Sequence, residues 1–274
     1  MHFDPRVEIS FKNIDQLREK VDFCIDRKID KINIPCKGHI KKNFLLEVVK
    51  YLGENYKNLN IVYHYSLFHQ FTKNKIISFE FFNEFIELIN KYGNNEILLV
   101  SGTKKRKDFD VLSFLEILKK EKYNKSCIGV AFNPYFPSSD LLKLEQKRLL
   151  NKINTGLISS IWLQNGSNLV ALASGYEFIT KNLSIDKSAD DNNIKIYGSV
   201  FIPSKQFLNQ FRFRPWNGVF LSDSFLNSLE YANKVTKNIL IFYNSNEIIP
   251  VIENDFTSEK KYQNFINLID TREI

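Results

Sequence analysis

The sequence predicts a single (β/α)8 barrel domain over residues 1–274, a TIM barrel. Three observations lead there. Apolar strand patterns alternate with amphipathic helical patterns eight times along the chain. The length of 274 residues suits one barrel of roughly 250 residues. No stretch rich in Pro, Gly or Ser divides the chain, and no GxGxxG follows the first strand. The last point disfavours the alternative, an open doubly wound dinucleotide-binding sheet.

The units run in order. VEISF (residues 7–11) is a short apolar strand with one acid, followed by helical periodicity over 14–27 through Leu17, Val21, Cys24 and Ile25. KINIP (31–35) is the second strand and 44–52 its helix. NIVYHYS (60–66) is the third, rich in β-branched and aromatic residues, and a strongly amphipathic helix over 79–92 follows. EILLVSG (96–102) precedes a helix at 111–121. CIGVAF (127–132) precedes one at 140–153, with Ser138 or Ser139 as N-cap. SSIWLQN (159–165) leads to a helix over 168–181, and IKIYGSVFI (194–202) to a short helix near 205–211. A helix over 225–236 comes next, then NILIFYNS (238–245) as the eighth strand and 259–269 as the closing helix.

Composition bounds the function. With 43% hydrophobic and 25% charged residues the chain is globular, and it is long enough to bury a core without a disulfide or metal staple. Cys24, Cys36 and Cys127 are odd in number and widely spaced, which fits a reducing cytoplasm and neither a disulfide framework nor a zinc site. The N-terminal residues lack the basic and apolar regions of a signal peptide, and no apolar run is long enough for a membrane span. The net charge of +7 raises nucleic-acid binding. Lys, Ile and Asn are spread along the whole chain, however, and no stacking aromatics accompany the basic run Lys104, Lys105, Arg106, Lys107, so no nucleic-acid partner and no membrane partner are expected. A homo-oligomer is compatible with the sequence.

In a barrel of this kind chemistry gathers at the C-terminal ends of the strands. Polar residues expected there are Glu8, His64, Ser66, Ser101, Gly102, Thr103, the Asn133-Pro134-Tyr135 tract, Gln164, Asn165, Tyr243 and Asn244. Glu8 is the sharpest, because a carboxyl in an apolar strand has its pKa raised and can serve as a general acid. The alternative is a strand-end acid paired with Lys or Arg. His64 reads as a base, a hydrogen-bond donor or a packed barrel histidine. No His, Cys and carboxylate cluster has metal-ligand spacing, and no GxSxG elbow is present.

The tract IGVAFNPYFPSSDLLKLEQKRLLNKINTGLISSIWLQN (128–165) resembles a segment of the methylenetetrahydrofolate reductase family. Lys152 and Gly156 match its Lys-x-x-x-Gly, and Gln164 matches the glutamine of its Thr-Gln dipeptide with one residue of slack. VSG (100–102) is similar to its Ala-Leu-Arg-Gly-Asp element, YHYS (63–66) to His-Leu-Thr-Cys, and VEISF to Phe-Glu-Phe-Phe. The resemblance implies a flavin-containing barrel that passes a hydride from NADH or NADPH through FAD to a folate substrate, methylenetetrahydrofolate. It implies Glu8 as general acid, Gln164 on the pterin, and His64, Ser66, Gly102, Thr103 and Lys152 at the cofactor. The chain departs from the pattern at Thr103, where the family has Asp, at Ser101 for Arg and at Pro35 for Thr. The Asn133-Pro134-Tyr135 tract stands for Tyr-Pro-Glu, and the double proline after the first strand is missing. The other reading is a flavin-free homologue that binds a folate or another small anion, with the run 104–107 meeting its charge.

Overall fold

The computed structural model of the chain describes residues 5–38, 40–70, 74–94, 96–101, 110–183, 194–254 and 258–269. Eight parallel strands close into a barrel in sequence order. They are β1 (Arg6–Glu8), β2 (Lys31–Ile34), β3 (Asn60–Ser66), β4 (Glu96–Val100), β5 (Cys127–Phe132), β6 (Ile158–Leu163), β7 (Lys195–Val200) and β8 (Ile249–Ile252). Closure is made where β1 pairs β8, Arg6 opposite Val251 and Val7 opposite Ile252. The helices are α1 (Ile14–Ile25), α2 (Lys42–Asn55), α3 (Leu67–Gln70), α4 (Lys75–Lys91), α5 (Val111–Lys120), α6 (Ser139–Ile153), α7 (Leu169–Leu183), α8 (Lys205–Phe213), α9 (Asp223–Asn227), α10 (Leu229–Ser245) and α11 (Glu259–Ile269). None of the described helices is long and apolar enough to cross a membrane.

Strand alternation sorts the side chains into two cores. Outward residues such as Val7, Ile32, Ile34, Tyr63 and Ile97 pack against the helices in one large cluster. Inward residues Val62, Leu98, Trp162, Tyr197 and Val251 form a smaller one inside the barrel. Trp162 stacks on Tyr197 at 4.1 Å between ring centroids and donates its indole N–H to Ser160 Oγ at 3.0 Å. Room for the indole comes from Gly129 on β5, where a Cβ would lie 2.3 Å from Trp162 Nε1. These rings fill the middle of the barrel, between its two mouths.

The eighth strand is not where the sequence reading put it. Residues 238–245 form the second half of α10, which begins at Leu229 with Ser228 as its N-cap; the Ser228 side chain accepts from the Tyr231 N–H. Ala232, Thr236, Ile239, Leu240 and Tyr243 are buried along one helical stripe. A short apolar run cannot be told from a buried helix segment by its hydrophobicity alone, and no breaker interrupts this one. The true β8 follows a turn at Glu247, whose φ is +55°, and contains Pro250, a residue that argues against a strand in a sequence reading. The expected helix over 225–236 is likewise divided between α9 and α10. The short α3 directly after β3 was not expected, and the other differences are at element ends. β1 stops at Glu8, while Ile9 and Phe11 stay buried beyond the ladder.

Candidate active site at the C-terminal mouth

Glu8 is the last residue of β1 and lies on the inward face, two residues beyond Arg6. Its side chain is 12% exposed. Lys37, from the loop after β2, brings its Nζ to 3.8 Å, and His64 of β3 brings Nδ1 to 4.0 Å. Glu253 follows β8 directly and is tied to β7 by its backbone N–H, which donates to the Val200 carbonyl at 3.0 Å. Burial pushes the Glu8 carboxyl from 4.5 up to about 8, the Glu253 charge pushes the same way, and Lys37 opposes both. Glu253 is also raised by burial, against a hydrogen bond from Ser199 and the charge of Lys37. Burial lowers His64 from 6.5 to about 3, with Lys37 and Arg6 adding to the effect. Near neutral pH the 4.0 Å approach of His64 to Glu8 is therefore a contact between two neutral groups. His64 Nε2 is buried and has no hydrogen-bond partner among the described residues.

Gln164 follows β6 at the same end. Its backbone N–H donates to the Phe132 carbonyl, and its side-chain Oε1 accepts from the Asn165 N–H, both at 2.9 Å. Ser66 ends β3, fully buried, and its hydroxyl accepts from the His69 N–H at 3.4 Å. Glu8, His64, Ser66 and Gln164 thus share one end of the barrel. Lys152 stands apart. It belongs to α6 in the outer ring, and its amine donates to the Ala131 carbonyl near the end of β5 at 3.2 Å. Burial lowers its pKa, against the charge of Glu145. Gly102, Thr103 and the run Lys104, Lys105, Arg106, Lys107 lie outside the described residues.

The tract after β5 does structural work. Asn133 donates from Nδ2 to the Gly218 carbonyl at 2.8 Å, and its Oδ1 accepts from the Tyr135 N–H at 3.0 Å, holding two loops together. Tyr243 and Asn244, expected at this mouth, are on α10 instead. Tyr243 is buried and donates to the Ser199 carbonyl, and Asn244 faces a cavity at the other end of the barrel. Past β7, Phe201 stacks on Phe207 at 5.3 Å with 6° between the rings, and Trp216 meets Phe201 edge-on at 4.8 Å. Sequence reasoning missed Glu253, Lys37 and this aromatic group. Glu253 was legible in principle, as an acid placed just after an apolar run, but only once that run is recognised as β8.

The fold and this mouth define a (β/α)8 barrel with a buried, proton-holding carboxyl at its C-terminal end. No family model matches the chain, and no curated protein matches it. Among solved structures it is similar to the "crystal structure of a putative phosphonomutase from Burkholderia cenocepacia J2315", with 8% identity over 96% of this chain and 92% of that chain and a TM-score of 0.47. That likeness says nothing about the chemistry of the mouth.

Proposed function

We propose that the protein is an enzyme of folate one-carbon metabolism in which Glu8 protonates a ring nitrogen of methylenetetrahydrofolate. The observation that supports this most is a carboxyl held neutral to about pH 8 at the mouth of the barrel, at the position the family resemblance gives to the general acid. The proton passes from Glu8 to the departing nitrogen, the carbon–nitrogen bond of the imidazolidine breaks, and the one-carbon unit becomes an iminium on the other nitrogen. Lys37, 3.8 Å away, offsets the carboxylate that remains. Neutral His64 adds no competing acid, and its bare Nε2 can bond a polar atom of the substrate. Gln164 is the group offered to the pterin. The stacked Phe201 and Phe207 suit a planar ring at the same end.

Reduction of that iminium to the methyl group is what the resemblance adds, with FAD and NADH or NADPH supplying the hydride. The described residues do not make up an FAD site. The groups gathered around Glu8 are a second acid, Glu253, a lysine, Lys37, and a neutral histidine, and Lys152, assigned to the cofactor by resemblance, is engaged with Ala131 in the helix ring. No step is derived through the flavin. The second reading, a flavin-free folate-binding homologue, is favoured by the same observation and by Thr103 and Ser101 at flavin-contact positions. Three free cysteines suit a reducing cytoplasm as the setting.

The test has two parts. Calorimetry should detect binding of methylenetetrahydrofolate to wild type and to Glu8→Gln alike. Turnover to methyltetrahydrofolate, with FAD and NADH or NADPH added, should fall by about 10²–10⁴-fold in Glu8→Gln. Binding without turnover, in a colourless protein that takes up no FAD, selects the flavin-free reading. Failure to bind the folate, or equal turnover in the variant, removes the proposal.

A further inference from the structure

β7 and β8 run in register from Tyr197 opposite Ile249 to Val200 opposite Ile252. Their pairing continues past the strands. The Glu253 N–H donates to the Val200 carbonyl at 3.0 Å, and the Asn254 side chain accepts from the Ile202 N–H and donates to the Ile202 carbonyl. Phe201 and Glu253 are therefore held side by side at the mouth. Tyr197 and Val251 face the barrel interior, and Phe201 and Glu253 lie an even number of positions beyond them, so both continue the inward face. Their neighbours Val200, Ile202 and Ile252 belong to the outer core, as that alternation requires.

On the other side of β7, Gln164 continues the inward face of β6, two positions past Trp162. Its Oε1 is engaged by the Asn165 N–H at 2.9 Å, so its amide N–H2 is the group it offers to a ligand. Three successive strands thus end in a donor, an aromatic ring and an acid. Glu253 also stands one strand from Glu8, at the next register position after Val7 opposite Ile252. The two acids have different surroundings. Glu8 meets Lys37 and His64 on the side of β2 and β3. Glu253 takes a hydrogen bond from Ser199 of β7, which together with Lys37 favours its ionised form, and its charge in turn helps Glu8 keep a proton. Glu253 is the first of the pair to ionise.

A carboxylate only accepts, and its two oxygens match two parallel N–H donors. The folate ring system carries such a pair, the ring N–H and the exocyclic amino group of its aminopyrimidinone half, with a ring carbonyl beside them. We propose, on the folate reading of this mouth, that Glu253 is its specificity-determining residue. Its carboxylate accepts from both N–H groups, the Gln164 amide donates to the carbonyl, and the ring lies against Phe201. Glu8, on the Lys37 side, is left for the imidazolidine.

The test compares two rings. Pterin and lumazine differ only at the carbon between the two pyrimidine nitrogens, which carries an amino group in one and an oxygen in the other. Each competes with methylenetetrahydrofolate in calorimetry. Wild type should prefer pterin by at least about tenfold, because lumazine turns a carbonyl toward the carboxylate. In Glu253→Gln the amide can serve either ring, so the preference should shrink to within about threefold, and methylenetetrahydrofolate should bind at least about tenfold more weakly. Glu8→Gln should keep the wild-type preference. Equal affinity of wild type for the two rings overturns the proposal, whatever the variants do. So does failure of pterin to displace methylenetetrahydrofolate at up to about 10 mM. Weaker folate binding by Glu253→Gln with the preference intact marks a structural role and also overturns it, as does loss of the preference in Glu8→Gln. In each of these cases methylenetetrahydrofolate still binds wild type and the folate reading stands. Absence of methylenetetrahydrofolate binding to wild type removes both.

Discussion

Glu8 and His64 lie 4.0 Å apart and are shifted in opposite directions, which gives each a distinct pH signature. Folded Glu8 holds its proton to about pH 8, whereas the unfolded side chain releases it near 4.5. Its contribution to stability is therefore complete below about pH 4.5 and is lost as the pH rises through 8. His64 runs the other way. Its contribution is present above 6.5 and lost as the pH falls toward 3. In chemical denaturation between pH 5 and 8, the stability of wild type relative to Glu8→Gln is expected to fall with pH, by at most about 1.4 kcal/mol per unit. Parallel curves would show that Glu8 titrates normally. Glu253→Gln removes a neighbouring negative charge and should lower the Glu8 titration midpoint, as read by carbon NMR of labelled glutamate. An unchanged midpoint would mean that burial alone sets it. Glu8 was legible as a buried acid because its flanking residues Val7 and Ile9 announce an apolar strand. Lys37 and Glu253 were not, since nothing in PCKGH or IIPVIEN says that these loops converge on β1.

At the scale of elements, two positions report on how the barrel is filled and how the chain ends. Gly129→Ala on β5 places a methyl group against the Trp162 indole, which is itself pinned on Tyr197. The expected cost is about 1–3 kcal/mol, measured by denaturant unfolding, with near-ultraviolet circular dichroism reporting the displaced indole. No loss of stability would mean that the stack can slide. α10 is tested at Asn238, an exposed mid-helix position. Asn238→Ala should stabilise by up to about 0.7 kcal/mol and Asn238→Pro should cost about 3 kcal/mol. A loss of stability on Asn238→Ala would contradict a helix at this position. The element reading succeeded where length and period agree. β3 and β5 have the boundaries expected from their sequences. It failed at β8, where a four-residue strand containing Pro250 is outweighed by the more apolar ILIF of the preceding helix.

For the whole molecule the decisive event is closure. β1 is three residues long and has two register partners on each neighbour, while β5 and β6 share five. The seam at β1 and β8 therefore has the fewest ladder bonds to break on opening. In native-state hydrogen exchange the amides of β1 and β8 are expected to lose protection before those of β4, β5 and β6. Slowest exchange at the seam would contradict this order.

The sequence by itself determined the fold class, the first seven strands and their order, and which of their faces are apolar. These follow from periodicity, a property of neighbours along the chain. It also marked Glu8, His64, Ser66 and Gln164 as strand-end groups, and the structure brings these four to one mouth. Only the tertiary structure decided that Glu253 and Lys37 share that mouth, that Lys152 stays in the helix ring, and that Arg6, Lys31 and Lys195 surround a cavity at the other end. The physical reason is closure. Joining β8 to β1 sets residues some 245 positions apart side by side, Arg6 against Val251, and fixes the register of all eight strands. A one-residue slip in that register would exchange the inward and outward faces, so the contents of both mouths are a property of the closed barrel.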